Sequence, residues 1–319
     1  MDIVMLIVGL ALILLGANFL TDGASAIAKR WGVSDLVVGL TVVAFGTSAP
    51  ELVISVMSSI NGSAGLAIGN VVGSNIFNVL VIIGVTAAVS PIKIERTIMT
   101  KDIPLVVLSA LALLVIGNGP LLDGNSSRIL SRVDSILLLL FFCIFMRHTF
   151  SAATSGQTDA TATEEGAKSK PLKLWMALIY VAGGLTGLIF GGDWFVDGAS
   201  GIARSLGVSD AVIGLTIVAA GTSLPELATS ITAAVKGKPG MALGNVIGSN
   251  IFNIFLVLGV AGVVRPLPFG DITNFDLLTM TFGCILFWLF GWFFKTRTIT
   301  RWEGLIMAAC YVAYIVVLL

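Results

Sequence analysis

The chain has 319 residues, of which 56% are hydrophobic and 11% are charged, and its formal net charge is zero. With a mean hydropathy of +1.02 it has too little polar surface for a soluble globular protein, so a polytopic membrane protein is predicted. Because no basic cluster is interleaved with exposed aromatic residues, a nucleic-acid partner is not expected.

Ten apolar stretches of the sequence are long enough to cross a bilayer, since a membrane helix needs about 20 mainly apolar residues. We number them spans 1 to 10, at approximately 2–20, 35–60, 65–89, 102–118, 133–147, 174–195, 210–235, 240–264, 275–294 and 302–319. Span 1 lacks the basic start of a signal peptide and has the length of a spanning helix. Cys143, Cys284 and Cys310 lie within spans and show neither a disulfide framework nor a zinc-ligand spacing.

The chain contains an internal repeat. Residues 22–85 recur without a gap at residues 197–260, and 37 of the 64 paired positions are identical. Five spans separate a residue from its partner, and this odd number inverts the second copy relative to the first. We therefore predict an all-α polytopic membrane protein with ten transmembrane helices, arranged as two inverted five-helix repeats at 1–147 and 174–319.

The distribution of basic residues predicts the orientation. The loops that follow odd-numbered spans hold 14 of the 18 Lys and Arg residues, so the positive-inside rule places these loops in the cytoplasm and both termini outside. The polar segment 148–173 joins the repeats and is interpreted as a flexible cytoplasmic linker. A location in the plasma membrane is expected, and the protein is expected to work as a monomer.

Spans 2 and 7 carry the matched motifs GTSAPEL and GTSLPEL, whose prolines are Pro50 and Pro225. Because proline has no amide hydrogen and its ring clashes with the carbonyl four residues earlier, each helix should break there. In transporters, backbone carbonyls opened at membrane depth coordinate cations. One residue after each proline lies a carboxylate, Glu51 or Glu226, in a strongly apolar segment.

Hydroxyls and amides accompany the two carboxylates. Thr47 and Thr222 lie four residues before them, on the same helix face. A polar line at four-residue spacing follows on span 3 and is repeated on span 8: Asn70, Ser74 and Asn78, then Asn245, Ser249 and Asn253. Such an oxygen-rich set suits a hard cation such as calcium, whereas zinc or copper would call for His or Cys.

Other interpretations compete for the same glutamates. Ser48-x-x-Glu51 and Ser223-x-x-Glu226 also fit a capping box, which would restart each helix after its break. A charged side chain near the bilayer centre costs at least about 2.5 to 3.5 kcal/mol, and a cap contributes only about 1 kcal/mol. The comparison favours cation ligands.

The glycines of spans 3 and 8 and several polar residues near the span ends are interpreted as structural. Glycines at four-residue spacing on spans 3 and 8 predict a packing face that brings span 3 close to span 2. These are Gly65, Gly69 and Gly73, matched by Gly240, Gly244 and Gly248. Ser34-Asp35 and Ser209-Asp210 are interpreted as N-caps, and His148 as a residue at headgroup level. Asp22, Asp193 and Asp197 are interpreted as polar residues at the ends of helices 1 and 6.

With GNVVGSN and GNVIGSN following GTSAPEL and GTSLPEL, the chain resembles the sodium/calcium exchangers of the calcium/cation antiporter superfamily over its whole length. The resemblance implies ten helices, with spans 2, 3, 7 and 8 forming a binding core across which spans 1 and 6 slide. It also implies that Glu51 and Glu226 hold calcium. Carried over by motif position, the ligand set adds Thr47, Thr222, Ser48, Ser223, Ser74, Ser249, Asn78, Asn253 and the carbonyls of Ala44 and Ala219.

One departure from the family pattern concerns charge. Some exchangers of this type have Asp at the position of Asn253, whereas both copies here have Asn. The core then holds two carboxylates, a charge that one calcium ion or two sodium ions would neutralise. Neither a cofactor nor an enzymatic activity is expected; the transported ions are calcium and sodium.

Three alternatives to sodium/calcium exchange remain open. Calcium/proton exchange could use the same glutamates as proton carriers. A passive cation channel could use paired glutamates, although inverted repeats with broken helices favour a carrier. An intramembrane hydrolase is disfavoured, because Ser48 and Ser223 have no His or Lys base nearby within the repeats.

Overall fold

The computed structural model describes residues 1–62, 64–124, 128–154, 172–207, 219–293 and 297–318. Within these ranges, eight helices are long and apolar enough to cross a membrane, or nine if one bent pair counts as a single span. The eight are Asp2–Trp31, Gly65–Val89, Ile98–Ile116, Arg132–Ser151, Leu174–Ser205, Pro239–Val264, Asn274–Phe293 and Arg301–Leu318, and they occupy spans 1, 3, 4, 5, 6, 8, 9 and 10.

Span 2 is the bent pair. Its halves, Asp35–Thr47 and Ala49–Ile60, meet at an angle of 46°, which confirms the break predicted from Pro50. The first half begins at Ser34, whose hydroxyl accepts the Val37 amide at 3.3 Å as an N-cap. In span 7 the described part comprises Ala219–Gly221 and Leu224–Val235; the predicted Ser209-Asp210 cap lies outside the described residues.

Among the described residues, four segments are π-helical: Gly39–Val43, Asn78–Ile82, Ile98–Asp102 and Phe252–Val257. Two of them contain predicted site residues: Asn78 is the first residue of its segment, and Asn253 the second of its own. π-Helical turns occur frequently at functional sites. In these turns the side-chain amides of Asn78 and Asn253 point in directions different from those in a regular α-helix.

Spans 1 and 6 form helices that are longer than predicted, ending at Trp31 and Ser205 instead of near residues 20 and 195. The first ends at Gly32, where φ is +64° and the Gly32 and Val33 amides donate to the Ala28 carbonyl. Gly32 can adopt this left-handed conformation at no steric cost, which explains the stop. Asp22, Asp193 and Asp197 consequently lie within helices and not at their ends, which corrects the sequence interpretation.

Glycines join spans 1 and 6 along an antiparallel seam. Gly9, Gly16 and Gly23 face span 6, and Gly184, Gly191 and Gly198 face span 1, each set at seven-residue intervals. A Cβ on any of these six would lie 2.5 to 2.8 Å from a backbone atom of the partner helix. The two backbones therefore pack directly against each other, as small residues allow in membrane helices.

The glycine face predicted to bring span 3 against span 2 does not do so, because a Cβ on Gly65, Gly69 or Gly73 would meet no described atom of span 2 within 4 Å. The matching face of span 8 contacts span 2 instead. A Cβ on Gly244 would meet the Leu36 carbonyl at 2.5 Å, and one on Gly248 would meet the Ala44 Cβ at 2.6 Å. Gly39 approaches the Met241 carbonyl in the same way. This face thus brings span 8 against the first half of span 2, across the two copies, and not against the helix that precedes it in sequence.

Short strand pairs connect the loops at the two ends of the molecule. Ile92–Lys93 pairs antiparallel with Thr298–Ile299, which joins the loops after spans 3 and 9. Ile129–Leu130 pairs antiparallel with Leu267–Pro268, which joins the loops after spans 4 and 8. Each pair connects loops of the same parity, so odd-numbered loops meet at one end and even-numbered loops at the other.

Candidate functional site

The two glutamates occupy equivalent positions just after the helix breaks. Glu51 is the third residue of Ala49–Ile60 and Glu226 the third of Leu224–Val235, each following a proline at the start of the helix. Their exposed fractions are 0% and 1%. The two carboxylates also lie close enough to interact electrostatically. Two carboxyl groups are thus buried close to each other.

Three of the four carboxylate oxygens have no hydrogen-bond partner among the described residues: Oε1 and Oε2 of Glu51, and Oε2 of Glu226. An uncompensated buried charge is costly, and such groups in proteins are paired or coordinate a metal ion. The remaining oxygen, Oε1 of Glu226, accepts the Ser48 hydroxyl at 3.2 Å. This arrangement leaves most of the ligand capacity of both carboxylates available to a cation.

The capping-box alternative does not fit the observed contacts. Ser48 and Ser223 are the N-cap residues of the helices that contain the glutamates, and neither side chain makes a capping hydrogen bond. The Ser48 hydroxyl reaches Glu226 in the other copy, and the Ser223 hydroxyl has no partner within the described ranges. Ser48 therefore directs its oxygen toward the carboxylate of the other copy, and neither serine closes its helix end.

Two asparagines position the backbone of the glutamates. Nδ2 of Asn70 donates to the Glu51 carbonyl at 3.4 Å and to the Ser55 hydroxyl at 3.1 Å. Nδ2 of Asn245 makes the matching bonds to the Glu226 carbonyl at 3.2 Å and to the Ser230 hydroxyl at 3.0 Å. Each asparagine fastens span 3 or span 8 to the helix that carries the carboxylate, which is a positioning role and not a ligand role.

The remaining hydroxyls and amides of the predicted ligand set differ in whether their oxygens already make a hydrogen bond. Those that do are called engaged, and those that do not are called available. Available oxygens, buried and without a hydrogen-bond partner in the described part of the chain, belong to Ser74, Ser223, Ser249, Asn78 and Asn253. Ser74 and Ser249 lie near the carboxylates of Glu51 and Glu226 without the geometry of a hydrogen bond. Together with the three free carboxylate oxygens, the described residues supply eight available oxygens.

Thr47 and Ala44 are engaged in hydrogen bonds. The Thr47 hydroxyl donates to Oδ1 of Asn245 at 3.1 Å and to the Ala44 carbonyl at 3.4 Å. The Ser48 amide donates to that carbonyl at 3.0 Å, and the Thr47 hydroxyl shares its single proton between that carbonyl and Asn245. The second copy differs, because the Ser223 amide donates to the Ala220 carbonyl and not to the carbonyl of Ala219. Thr222 lies beside Ser223 and is half-buried.

Asn75 is a residue beside the predicted ligands that the sequence reasoning missed, and its side chain contacts the backbone of Asn250. Nδ2 of Asn253 donates to Oδ1 of Asn75 at 3.1 Å, and Nδ2 of Asn75 donates to the Asn250 carbonyl at 3.4 Å. With its amide nitrogen held in this way, Asn253 turns its own oxygen away from Asn75. The sequence does contain a signal: both copies have a second asparagine at the end of GNVVGSN or GNVIGSN, directly after the serine of the polar line.

The family model for the sodium/calcium exchanger protein matches residues 1–150 and 176–319. The putative antiporter CaxA of Alkalimonas amylolytica is 36% identical over 318 residues, covering 98% of this chain and 96% of that protein. The sodium/calcium exchanger MaX1 of Methanosarcina acetivorans is 33% identical, covering 99% and 98%.

Solved structures of the sodium-calcium exchanger NCX_Mj are similar to the whole fold. The structure soaked with 2.5 mM Na+ and 0.1 mM Ca2+ has a TM-score of 0.83 and 35% sequence identity, and the alignment covers 99% of this chain and 97% of that one. At this identity and coverage, the similarity extends to sequence as well as architecture.

Proposed function

The chain belongs to the sodium/calcium exchanger family, and we propose that this cation antiporter exchanges sodium for calcium by alternating access at a mid-membrane site formed by Glu51 and Glu226. The observation that carries the proposal is the pair of buried carboxylates with three oxygens free of hydrogen-bond partners in the described residues. Their charge of −2 is neutralised by one calcium ion or by two sodium ions. Competition for this charge couples the two ions.

The proposed ligand set contains the available oxygens together with engaged groups that could exchange partners. Calcium takes six to eight oxygen ligands, and the described residues supply eight that are available. Ala44, Thr47, Ser48, Thr222 and Ala219 complete the proposed set through their hydroxyls and carbonyls. Ala44 is the least available, because its carbonyl accepts the Ser48 amide and also lies 3.4 Å from the Thr47 hydroxyl.

We further propose that the ten spans form two inverted repeats, residues 1–147 and 174–319, joined by a cytoplasmic linker at 148–173. The matched bonds of Asn70 and Asn245 to the two glutamate carbonyls support this arrangement. The strand pairs support it too, because they join odd-numbered loops at one end and even-numbered loops at the other. Because the loops rich in basic residues lie in the cytoplasm, both termini lie on the outer side of the plasma membrane. One monomer contains all residues of the proposed site.

The charge of the site bears on stoichiometry, because Asn253 stands where some exchangers of this type have Asp, and both copies here have Asn. The two glutamates alone match the charge of one calcium ion or of two sodium ions, and exchange of two sodium ions for one calcium ion is electroneutral. Exchange of three sodium ions would move one net charge per cycle, worth about 2.3 kcal/mol per 100 mV. A dependence of the exchange rate on clamped membrane potential distinguishes the two.

The test of the function is calcium-45 uptake into proteoliposomes that contain the purified protein. Vesicles loaded with sodium are compared with vesicles that have only a proton gradient and with vesicles that have neither. Uptake driven by the sodium gradient alone is expected. Uptake driven by the proton gradient would favour calcium/proton exchange, and uptake that needs neither gradient would indicate a channel and contradict the proposal.

Asn75→Ala is expected to weaken calcium binding roughly two- to tenfold, the effect of losing one hydrogen bond of about 0.5 to 1.5 kcal/mol. The physical reason is that Asn75 holds the amide nitrogen of Asn253. Isothermal titration with calcium measures the change. Asn250→Ala is the matched control, because Nδ2 of Asn250 donates to the Val246 carbonyl of its own helix at 2.7 Å. An equal loss of affinity in the control would refute the positioning role.

Lys236→Gln is expected to loosen the contact between the end of span 1 and the turn between spans 7 and 8. The Lys236 ammonium donates to Oδ1 of Asp22 at 2.8 Å and to the Asn18 carbonyl at 3.2 Å, and Lys238 donates to the Ser25 hydroxyl. Asp22 is 45% exposed. A partly solvated ion pair is worth about 0 to 1 kcal/mol. The equilibrium constant for separation of span 1 from this turn should therefore increase up to about fivefold.

Amide hydrogen exchange in residues 18–31 and 235–241 measures the loosening caused by Lys236→Gln. Faster exchange is expected in both segments, because alternating access requires span 1 to separate from the core at this end in one of its states. Lys173→Gln removes a charge from an exposed lysine just before span 6 and provides the control. Unchanged exchange in the Lys236 variant would show that the pair does not hold this end together.

A further inference from the structure

A groove unrelated to the ion site opens on the outer surface of spans 4 and 5. Its cavity volume is about 320 Å³, and its apolar walls include Leu105, Leu108, Ala112, Phe141 and Ile144. Leu108, Phe141 and Ile144 are 55%, 46% and 63% exposed, although they belong to membrane-spanning helices. In a bilayer this exposed surface meets lipid, so an acyl chain can enter the groove from the side.

One end of the same groove is polar. Lys101 and Asp102 line it from the start of the Ile98–Ile116 helix, and His148 lines it from the last part of the Arg132–Thr154 helix. The side chains of Lys101 and His148 are exposed, whereas Asp102 is only 5% exposed. These three residues lie at helix ends and thus at the level of the lipid headgroups, where the apolar part of the groove begins.

Asp102 is the informative residue of this polar end. It has no hydrogen-bond partner among the residues that the structure describes; its neighbours by charge are Lys101 and Glu95. A buried carboxylate without donors is costly and favours a ligand that supplies both a positive charge and N–H groups. The basic Lys101 and the imidazole of His148, at the same end, offer donors to an anionic group. The same end of the groove thus offers an acceptor for a cationic group and donors for an anionic group.

We propose that this groove binds phosphatidylethanolamine. Its primary ammonium donates to the Asp102 carboxylate, its phosphate accepts from Lys101 and His148, and one acyl chain lies along Leu105, Leu108 and Ile144. Phosphatidylcholine carries the same charges but its quaternary ammonium has no N–H donor. Phosphatidylglycerol has no cation to place beside Asp102. The groove shares no residue with the proposed ion ligands, so this is a second and separate site.

The test compares these three lipids, with identical acyl chains, on the delipidated protein in detergent. Native mass spectrometry measures the bound lipid, and thermal unfolding measures the stabilisation that it causes. Phosphatidylethanolamine is expected to bind roughly tenfold more tightly than phosphatidylcholine, the scale of one charge-assisted hydrogen bond. In Asp102→Asn this preference should fall to about equal binding, whereas Glu95→Gln, which removes an exposed neighbouring acid, should retain it.

A series that uses only the wild-type protein gives an answer even if Asp102→Asn fails to fold. Mono- and dimethylated phosphatidylethanolamine lose N–H donors one at a time, so their binding should decline stepwise toward that of phosphatidylcholine. Equal binding across the series would overturn the proposal. Preferential binding of phosphatidylglycerol would overturn it as well. It would show that Lys101 binds the lipid phosphate and that Asp102 has no role in the choice of lipid.

Discussion

Glu51→Gln and Glu226→Gln are each expected to reduce sodium-dependent calcium uptake by about a hundredfold or more. Each substitution keeps the shape of the side chain and removes one of two buried charges that are proposed to neutralise the ion. Loss of one partner from a buried charge pair costs roughly 3 to 5 kcal/mol, which corresponds to more than two orders of magnitude in affinity. Calcium-45 uptake into sodium-loaded proteoliposomes measures the effect.

Thermal unfolding separates this loss of binding from a loss of folding. Without calcium, both Gln variants should be at least as stable as the wild type, because each removes an electrostatic repulsion between two buried carboxylates. With calcium, the wild type should gain stability by mass action and the variants should gain much less. A wild-type calcium shift in either variant would remove that glutamate from the proposed site.

Glu303→Gln is the matched control for the two glutamates. Glu303 is also buried, at 4% exposure, but its carboxylate accepts the Thr300 amide at the start of span 10. Because the glutamine side-chain oxygen can accept the same amide, the substitution should cost less than the roughly 1 kcal/mol of a lost cap and leave the calcium dependence of transport unchanged. Equal loss of transport in this variant would show that any buried glutamate is essential for folding, and the effect at Glu51 and Glu226 would then not indicate ligands.

The sequence predicted the parts of this site that follow from local chemistry. Pro50 removes a backbone donor, and the bend of 46° lies two residues before it. Ser34 caps span 2 as its residue type predicts. The burial of Glu51 and Glu226 follows from their place in apolar segments, and their exposed fractions of 0% and 1% confirm it. The bend and the cap depend on interactions within about four residues along the chain, and the burial follows from the apolar composition of the segments.

The parts that the sequence did not predict depend on contacts between distant segments. Periodicity showed that Gly244 and Gly248 share a face, but only the fold shows that this face meets Leu36 and Ala44 of the other copy. Asp22 resembled a helix end, yet the helix continues past it, and its charge is paired with Lys236, which is 214 residues away in sequence. Asn75 was missed because its role depends on Asn253, on another helix.

Gly184→Ala is expected to destabilise the protein and impair transport, whereas the neighbouring Gly183→Ala is expected to be tolerated. A Cβ on Gly184 would lie 2.5 Å from the Leu20 amide nitrogen and 2.8 Å from the Gly16 carbonyl oxygen. Both atoms belong to the backbone of span 1, so spans 1 and 6 would have to separate. Overpacking of this kind costs about 1 to 3 kcal/mol. A Cβ on Gly183 would meet nothing within 4 Å among the described residues.

When thermal unfolding is measured in the same detergent, Gly184→Ala should therefore lower the unfolding temperature and Gly183→Ala should not. Alanine is a better helix former than glycine by about 1 kcal/mol, so Gly183→Ala should be neutral or slightly stabilising. If spans 1 and 6 move as one unit across the ion site, the separation forced at Gly184 should also slow sodium-dependent calcium uptake, and Gly183→Ala should leave it unchanged. Equal effects of the two substitutions on stability would show that the glycine seam does not join the helices, because helix propensity acts on both positions alike and direct backbone contact acts on only one.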